Sequence, residues 1–159
     1  MKSNFKLTLT ALASAALATP LMGQTATNYD APKQPLLVSA QILVGAGNYA
    51  VGAYIGQRVL GKRAVIEHIS GSCGGNAADT LSAVMLTLST GAGAYVHYLP
   101  LAKANTYSGQ AAWDFNDKVR LYADGNPNNS VAQVNIARTS LTYSMGCRIS
   151  ISGYWADAQ

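Results

Sequence analysis

The sequence predicts an all-β protein, a single antiparallel two-sheet β-sandwich for which a jelly roll is one of the arrangements that fit. Three observations predict it. Clusters of turn residues punctuate the chain at intervals of about a dozen residues, the spacing of short strands in a sandwich. Between them apolar and polar residues alternate with a period of two, as side chains do on a pleated strand. The polar positions rely on Ser, Thr, Asn and Gln, since only 11% of the chain is charged. Such faces suit a sheet wetted on one side and packed on the other.

Taken in order, the first segment, residues 1–23, reads as a leader. Lys2 and Lys6 precede an apolar stretch, Leu7 to Ala18, followed by small residues and Pro20. That stretch is too short to span a bilayer, and the layout is that of a bacterial secretory signal peptide. Cleavage is expected after Gly23, with Ala18 as the alternative. No Cys follows that would take a lipid, and no later apolar run is long enough for a membrane span. The mature protein is therefore expected in the periplasm or outside the cell. Taking 23 residues from 159 leaves 136, the size of one domain with a sizeable core.

Residues 24–35, with Pro32 and Pro35 and little apolar content, read as an extended arm, and residues 36–159 as the sandwich domain. Strands are expected at 36–44, 50–57, 63–70, 81–89, 94–101, 111–116, 118–123, 131–138 and 147–155. The breaks between them fall at Gly45 to Asn48, Gly71 to Asn76, Gly91 to Gly93, Lys103 to Gly109 and Gly125 to Asn129. Each is a cluster of residues that supply positive φ or local side-chain hydrogen bonds. The alternation is clearest where Val84, Leu86 and Leu88 share one face, opposite Met85, Thr87 and Ser89. Near the end, Ile149, Ile151 and Trp155 share a face opposite Arg148, Ser150, Ser152 and Tyr154.

Charge excludes one class of partner. The chain carries 11 basic and 7 acidic residues, and loss of Lys2 and Lys6 with the leader leaves 9 against 7. Only Arg58, Lys62 and Arg63 cluster, which reads as a solvated loop rather than the basic face that nucleic acid requires. Cysteine usage agrees with export. Cys73 and Cys147 are the only two, and an oxidising compartment favours pairing them across more than 70 residues.

Three glycine motifs imitate chemistry. Gly45-Ala46-Gly47-Asn48-Tyr49-Ala50 matches G-x-G-x-x-A after a strand, with Glu67 lying 20 residues beyond Gly47. A dinucleotide site needs a helix next, and Gly52 and Gly56 inside it would cost about 2 kcal/mol against alanine. Gly56 to Arg63 resembles a phosphate-binding loop until its last position, where Arg63 replaces the Ser or Thr that would hold magnesium. Gly71-Ser72-Cys73-Gly74-Gly75 resembles the nucleophile loop of chymotrypsin-like cysteine proteases. The sequence leaves no room upstream for their first barrel, and His68, five residues away, is the only preceding histidine.

The titratable inventory is thin. His68 and Glu67 point to opposite faces of one strand, and His97 shares a face with Tyr95 and Leu99 in another. Neither histidine has a second metal ligand at useful spacing. Asp114 and Asp117 fall on opposite faces, and the oxygen-rich Asp124 to Asn128 reads as a hairpin turn rather than a calcium loop. No catalytic residue, metal site or cofactor is implied. What remains is aromatic: nine tyrosines against two phenylalanines, with Trp113 and Trp155 besides. Tyr and Trp carry an apolar face and a polar tip, suited to sugars or partner surfaces. Tyr107, Trp113, Tyr122 and Tyr154 are the candidate ligand-binding platform, although the alternation also fits both tryptophans as core.

Lys62 to Gly71, Val119 to Asp124, and Cys147 to Tyr154 occur in an order that resembles a group of small exported bacterial proteins. These have a leader, one β-sandwich-like domain and a terminal strand ending in Ser-Gly-Tyr. The resemblance covers about the last hundred residues and implies a fold and a compartment, with no activity and no functional residue attached. Three function classes stay open. The first is a non-catalytic exported module binding a glycan or another surface ligand. The second is a self-assembling structural or adhesive subunit using the arm as an added strand. The third is a small hydrolase built on His68 or His97.

Overall fold

The computed structural model describes residues 33–126 and 128–158, apart from the side chains of residues 104 and 105. The expected leader and residues 24–32 of the expected arm lie outside that range. Nine strands are found among the described residues. They are β1 (Gln34–Val44), β2 (Ala50–Gln57), β3 (Lys62–Asn76), β4 (Leu81–Thr90), β5 (Gly93–Tyr98), β6 (Ala102–Tyr107), β7 (Gln110–Ala123), β8 (Ser130–Arg138) and β9 (Met145–Asp157). They form two antiparallel sheets, β1-β9-β3-β7-β6 and β2-β8-β4-β5.

The pairings are nested: β1 with β9, β2 with β8, β3 with β7, β4 with β5. The chain is thus one long hairpin rolled up so that its nested strand pairs alternate between the two sheets. That is a jelly roll, with β6 added at one edge. The core lies between the sheets. Leu36, Ile42 and Val44 of β1, Val84, Leu86 and Leu88 of β4, Val134 and Ile136 of β8, and Ile149 and Ile151 of β9 are all buried there. Each belongs to the inward set that the two-residue alternation singles out.

Cys73 and Cys147 are bonded and stand directly opposite each other in β3 and β9, with Cα atoms 4.0 Å apart. So short a separation belongs to a pair that exchanges no backbone hydrogen bonds. Cys147 therefore turns its N–H and C=O toward β1, and even-numbered β1 residues pair with β9 through them. No helix among the described residues is long and apolar enough to cross a membrane.

Four expected strand assignments change. Gly71 to Asn76 is strand rather than break, because Gly71 makes room for a ring: a Cβ there would lie 2.4 Å from Phe115 Cζ. The expected strands 111–116 and 118–123 are one, β7. Asn116 and Asp117 do not interrupt it, since each finds a partner on its own side: His68 Nε2 at 2.7 Å and His97 Nε2 at 2.9 Å. The expected break at Lys103 to Gly109 contains β6, an edge strand without apolar alternation. Gln34 and Pro35, assigned to the arm, open β1.

Arg63 is not a free loop cation. Its Nε and Nη2 grip both oxygens of Asp124 at 2.6 and 3.0 Å, and Gly91 N–H donates to Asp124 Oδ2. The hairpin turn expected at Asp124 to Asn128 is not what joins β7 to β8, because β7 belongs to the larger sheet and β8 to the smaller.

Candidate functional site

The four aromatic residues singled out from the sequence do not form one platform. Trp113 is 4% exposed and packs in the core. Tyr107 is exposed at the end of β6, paired with Gln110 at the start of β7. Twelve residues of strand, about 40 Å, separate that end of β7 from Tyr122. Tyr122 and Tyr154 do come together. Both stand opposite Val65, one in β7 and the other in β9, on the outer face of the larger sheet. Val65 is buried although it faces outward, because the two tyrosines flank it. The phenol groups of Tyr122 and then Tyr154 raise the pKa of the exposed Arg120 guanidinium. The Lys33 ammonium lies 4.1 Å from the centre of the Tyr154 ring. These tyrosines are already engaged within the protein.

Further along the same face the sheet is polar. Ser39 and Ser150 share a hydrogen bond at 3.0 Å, and His68 bonds Asn116. A shallow depression of about 600 Å³ opens there, lined by Gln41, Leu43, Ser72, Gly74, Gly146 and Arg148 among others.

The outer face of the smaller sheet is different. Tyr54, Gln133, Thr87 and Val96 form one row across β2, β8, β4 and β5; Gly52, Asn135, Met85 and Tyr98 form the next. Neither row contains a charged residue. Tyr54 and Tyr98 are 52% and 66% exposed. They stand on the two edge strands, three strand spacings or about 14 Å apart across the sheet. Between them runs a fixed chain of polar groups. Gln133 Nε2–H donates to Asn135 Oδ1 at 3.2 Å, and Asn135 Nδ2–H donates to Thr87 Oγ1 at 3.1 Å. With its oxygen accepting, the Thr87 hydroxyl keeps its own proton for another partner, and both amides keep one N–H each.

Gly52 makes this arrangement possible. A Cβ there would lie 2.7 Å from Gln133 Nε2 and 2.8 Å from Asn135 Oδ1. Its backbone conformation is one that any residue adopts, so the space taken by the amides is the reason a glycine fits here. In β2 the residues Val51, Ala53 and Ile55 pack toward the core and leave Tyr54 outward, as Tyr95 of β5 packs inward and leaves Tyr98 outward. The order of strands that brings the two to one face was not in that pattern.

His97 and Asp117 bridge the sheets, Nε2 to Oδ2 at 2.9 Å, with both side chains about three-quarters covered. Among the described residues no hydroxyl or thiol hydrogen-bonds to this pair, and no group of three His, Cys, Asp or Glu side chains could hold a metal ion. Of the three glycine motifs, the first leads into a strand rather than a helix, the second connects β2 to β3, and the third lies within β3.

No protein-family model matches the chain, and no characterised protein matches it detectably in sequence.

Proposed function

We propose that the protein is exported and acts as a non-catalytic binding module whose ligand is a glycan or a similar polyhydroxylated group on a surface. The observation that carries this reading is the platform of Tyr54, Gln133, Asn135, Thr87 and Tyr98 on the smaller sheet. Tyrosine rings offer stacking faces to the apolar side of a sugar ring, and amides held in one orientation offer donors and acceptors to neighbouring hydroxyls. The absence of charge from both rows suits a neutral ligand. A disulfide favours an oxidising compartment, in keeping with the leader read from the sequence.

A glycan-array screen of the purified, oxidised protein tests the proposal. Binding is expected to weaken about tenfold or more in Tyr98→Ala and in Tyr54→Ala, since an aromatic contact and its buried area are lost together. Gly52→Ala should weaken it by displacing the amide pair, and Tyr107→Ala, on the other sheet, should leave it unchanged. A folded protein that retains no glycan, or binding indifferent to Tyr54 and Tyr98, would reject the proposal.

A further inference from the structure

The strand β1 is an edge of the larger sheet, and among the described residues nothing pairs with its outer side. Proteins blunt such edges with charge, proline, bulges or short length, because unpaired N–H and C=O groups recruit other strands. The other edges here show these devices: β6 carries Lys103 and a register shift, β5 has six residues, and β2 contains Gly56 at a φ of 68°. β1 shows almost none. It runs for 11 residues in unbroken register with β9, contains no charge, and has its one proline, Pro35, near its start.

Its open side is the odd-numbered one. Even residues bond to β9, as the Cys73–Cys147 pair requires. Tyr122 agrees independently: its N–H and C=O are both taken by the Tyr95 hydroxyl, away from β3. Counting across β3 and β9 then leaves Pro35, opposite Tyr154, without backbone bonds to β9. Leu37, Ser39, Gln41 and Leu43 therefore direct their N–H and C=O groups at solvent. Their side chains also face out, and Leu37 and Leu43 are 76% and 67% exposed.

We infer that two copies of this chain pair edge to edge through β1, antiparallel about a two-fold axis at Ala40, joining their larger sheets into one. The pattern of the strand selects this partner. With the axis at Ala40, Leu37 of each copy stands opposite Leu43 of the other, and Ser39 opposite Gln41. All four pairs join residues whose backbone groups point outward, as an antiparallel ladder needs. Cross-strand apolar pairs stabilise sheets, and no charge opposes charge. Moving the axis by one residue in either direction sets a leucine against Gln41 or Ser39 instead. The match of like with like is thus a property of this register, and an isologous dimer is the assembly it closes.

Mixed cysteine variants test the register. Ser39→Cys mixed with Gln41→Cys is expected to give a disulfide-linked dimer under mild oxidation, while either alone gives none. Directly opposed residues lie within bonding distance and diagonal ones do not. Sedimentation of the exported, full-length protein should show a concentration-dependent dimer. Leu43→Lys should weaken it about tenfold or more, since both symmetry-related leucine pairs are lost, with no change in the melting temperature of the monomer. A protein that stays monomeric at all concentrations with its fold intact overturns the inference, as it would if its own preceding residues covered the edge. So does cross-linking by Ser39→Cys alone. The sugar platform lies on the other sheet, so either proposal can fail without the other.

Discussion

Arg138 and Asp79 meet in the interior, Nη1 3.3 Å from Oδ2, with neither side chain exposed to solvent. The guanidinium also donates to three backbone carbonyls: Asn48 through Nε at 2.9 Å, Gly45 through Nη2 at 2.7 Å, and Tyr143 through Nη1. One side chain at the end of β8 thereby ties together the loops that join β1 to β2, β3 to β4 and β8 to β9. A buried charge is tolerated only when paired and hydrogen-bonded, and both conditions are met for Arg138.

Arg138→Met is expected to destabilise the protein by about 3–5 kcal/mol, because it leaves the Asp79 carboxylate buried without its partner. Asp79→Asn should cost less, since the amide oxygen still accepts from Nη1. Urea unfolding of the three proteins checks the order; equal midpoints for wild type and Arg138→Met would reject the account.

The bond between Cys73 and Cys147 closes a sequence separation of 74 residues and joins the last strand to the middle of the chain. The chain-entropy argument assigns such a loop about 4 kcal/mol. The double variant Cys73→Ala/Cys147→Ala should lose about that much stability without changing its strand content. Denaturant curves with and without reductant measure it. Wild type is expected to match the variant once reduced, apart from the small packing difference.

Asp124 gives stability a pH dependence. The Arg63 guanidinium, through its hydrogen bonds, holds the Asp124 carboxyl below the usual carboxylate range, with the Gly91 N–H helping, against a smaller opposing effect of burial. A group with a lowered folded pKa contributes stability that is present above its unfolded value, about 3.9, and is lost as pH falls through the folded one. The protein should therefore weaken below about pH 4, and Asp124→Asn should be weaker at neutral pH but flatter in acid. Unfolding midpoints across that range decide it. Parallel profiles for the two proteins would remove Asp124 from the explanation.

Much of this fold could be read from residues. Val84, Leu86 and Leu88 took the inner face because alternation is a local property of a strand, and Cys73 with Cys147 could be paired by elimination. The failures have a common physical origin in contacts between distant segments. Gly71 looks like a turn until Phe115 is placed over it. The Arg138 side chain is a surface residue by type, and its burial depends on carbonyls at residues 45, 48 and 143 and a carboxylate at 79. The platform suffered similarly: with nine tyrosines in the chain, alternation shows which point outward, while only sheet order shows which stand together.

The upper half of β7 is an edge, because β6 pairs only with its beginning, and Tyr95 from the opposite sheet covers it. The Tyr122 N–H donates to the Tyr95 hydroxyl oxygen at 2.9 Å, and that hydroxyl donates back to the Tyr122 carbonyl at 2.5 Å. One phenol thus takes the place of a neighbouring strand and satisfies both backbone groups. Burial pushes the Tyr95 phenol up, which keeps it protonated and able to donate at any ordinary pH. Tyr95→Phe keeps the ring and removes both bonds at an exposed edge, where water takes the place of the hydroxyl. It should destabilise by about 0.5–1.5 kcal/mol, the net worth of such hydrogen bonds. Amide hydrogen exchange supplies the specific readout: the Tyr122 amide should lose protection in Tyr95→Phe far more than its neighbours in β7. If Tyr122 exchanges at an unchanged rate, the hydroxyl is not what seals that edge.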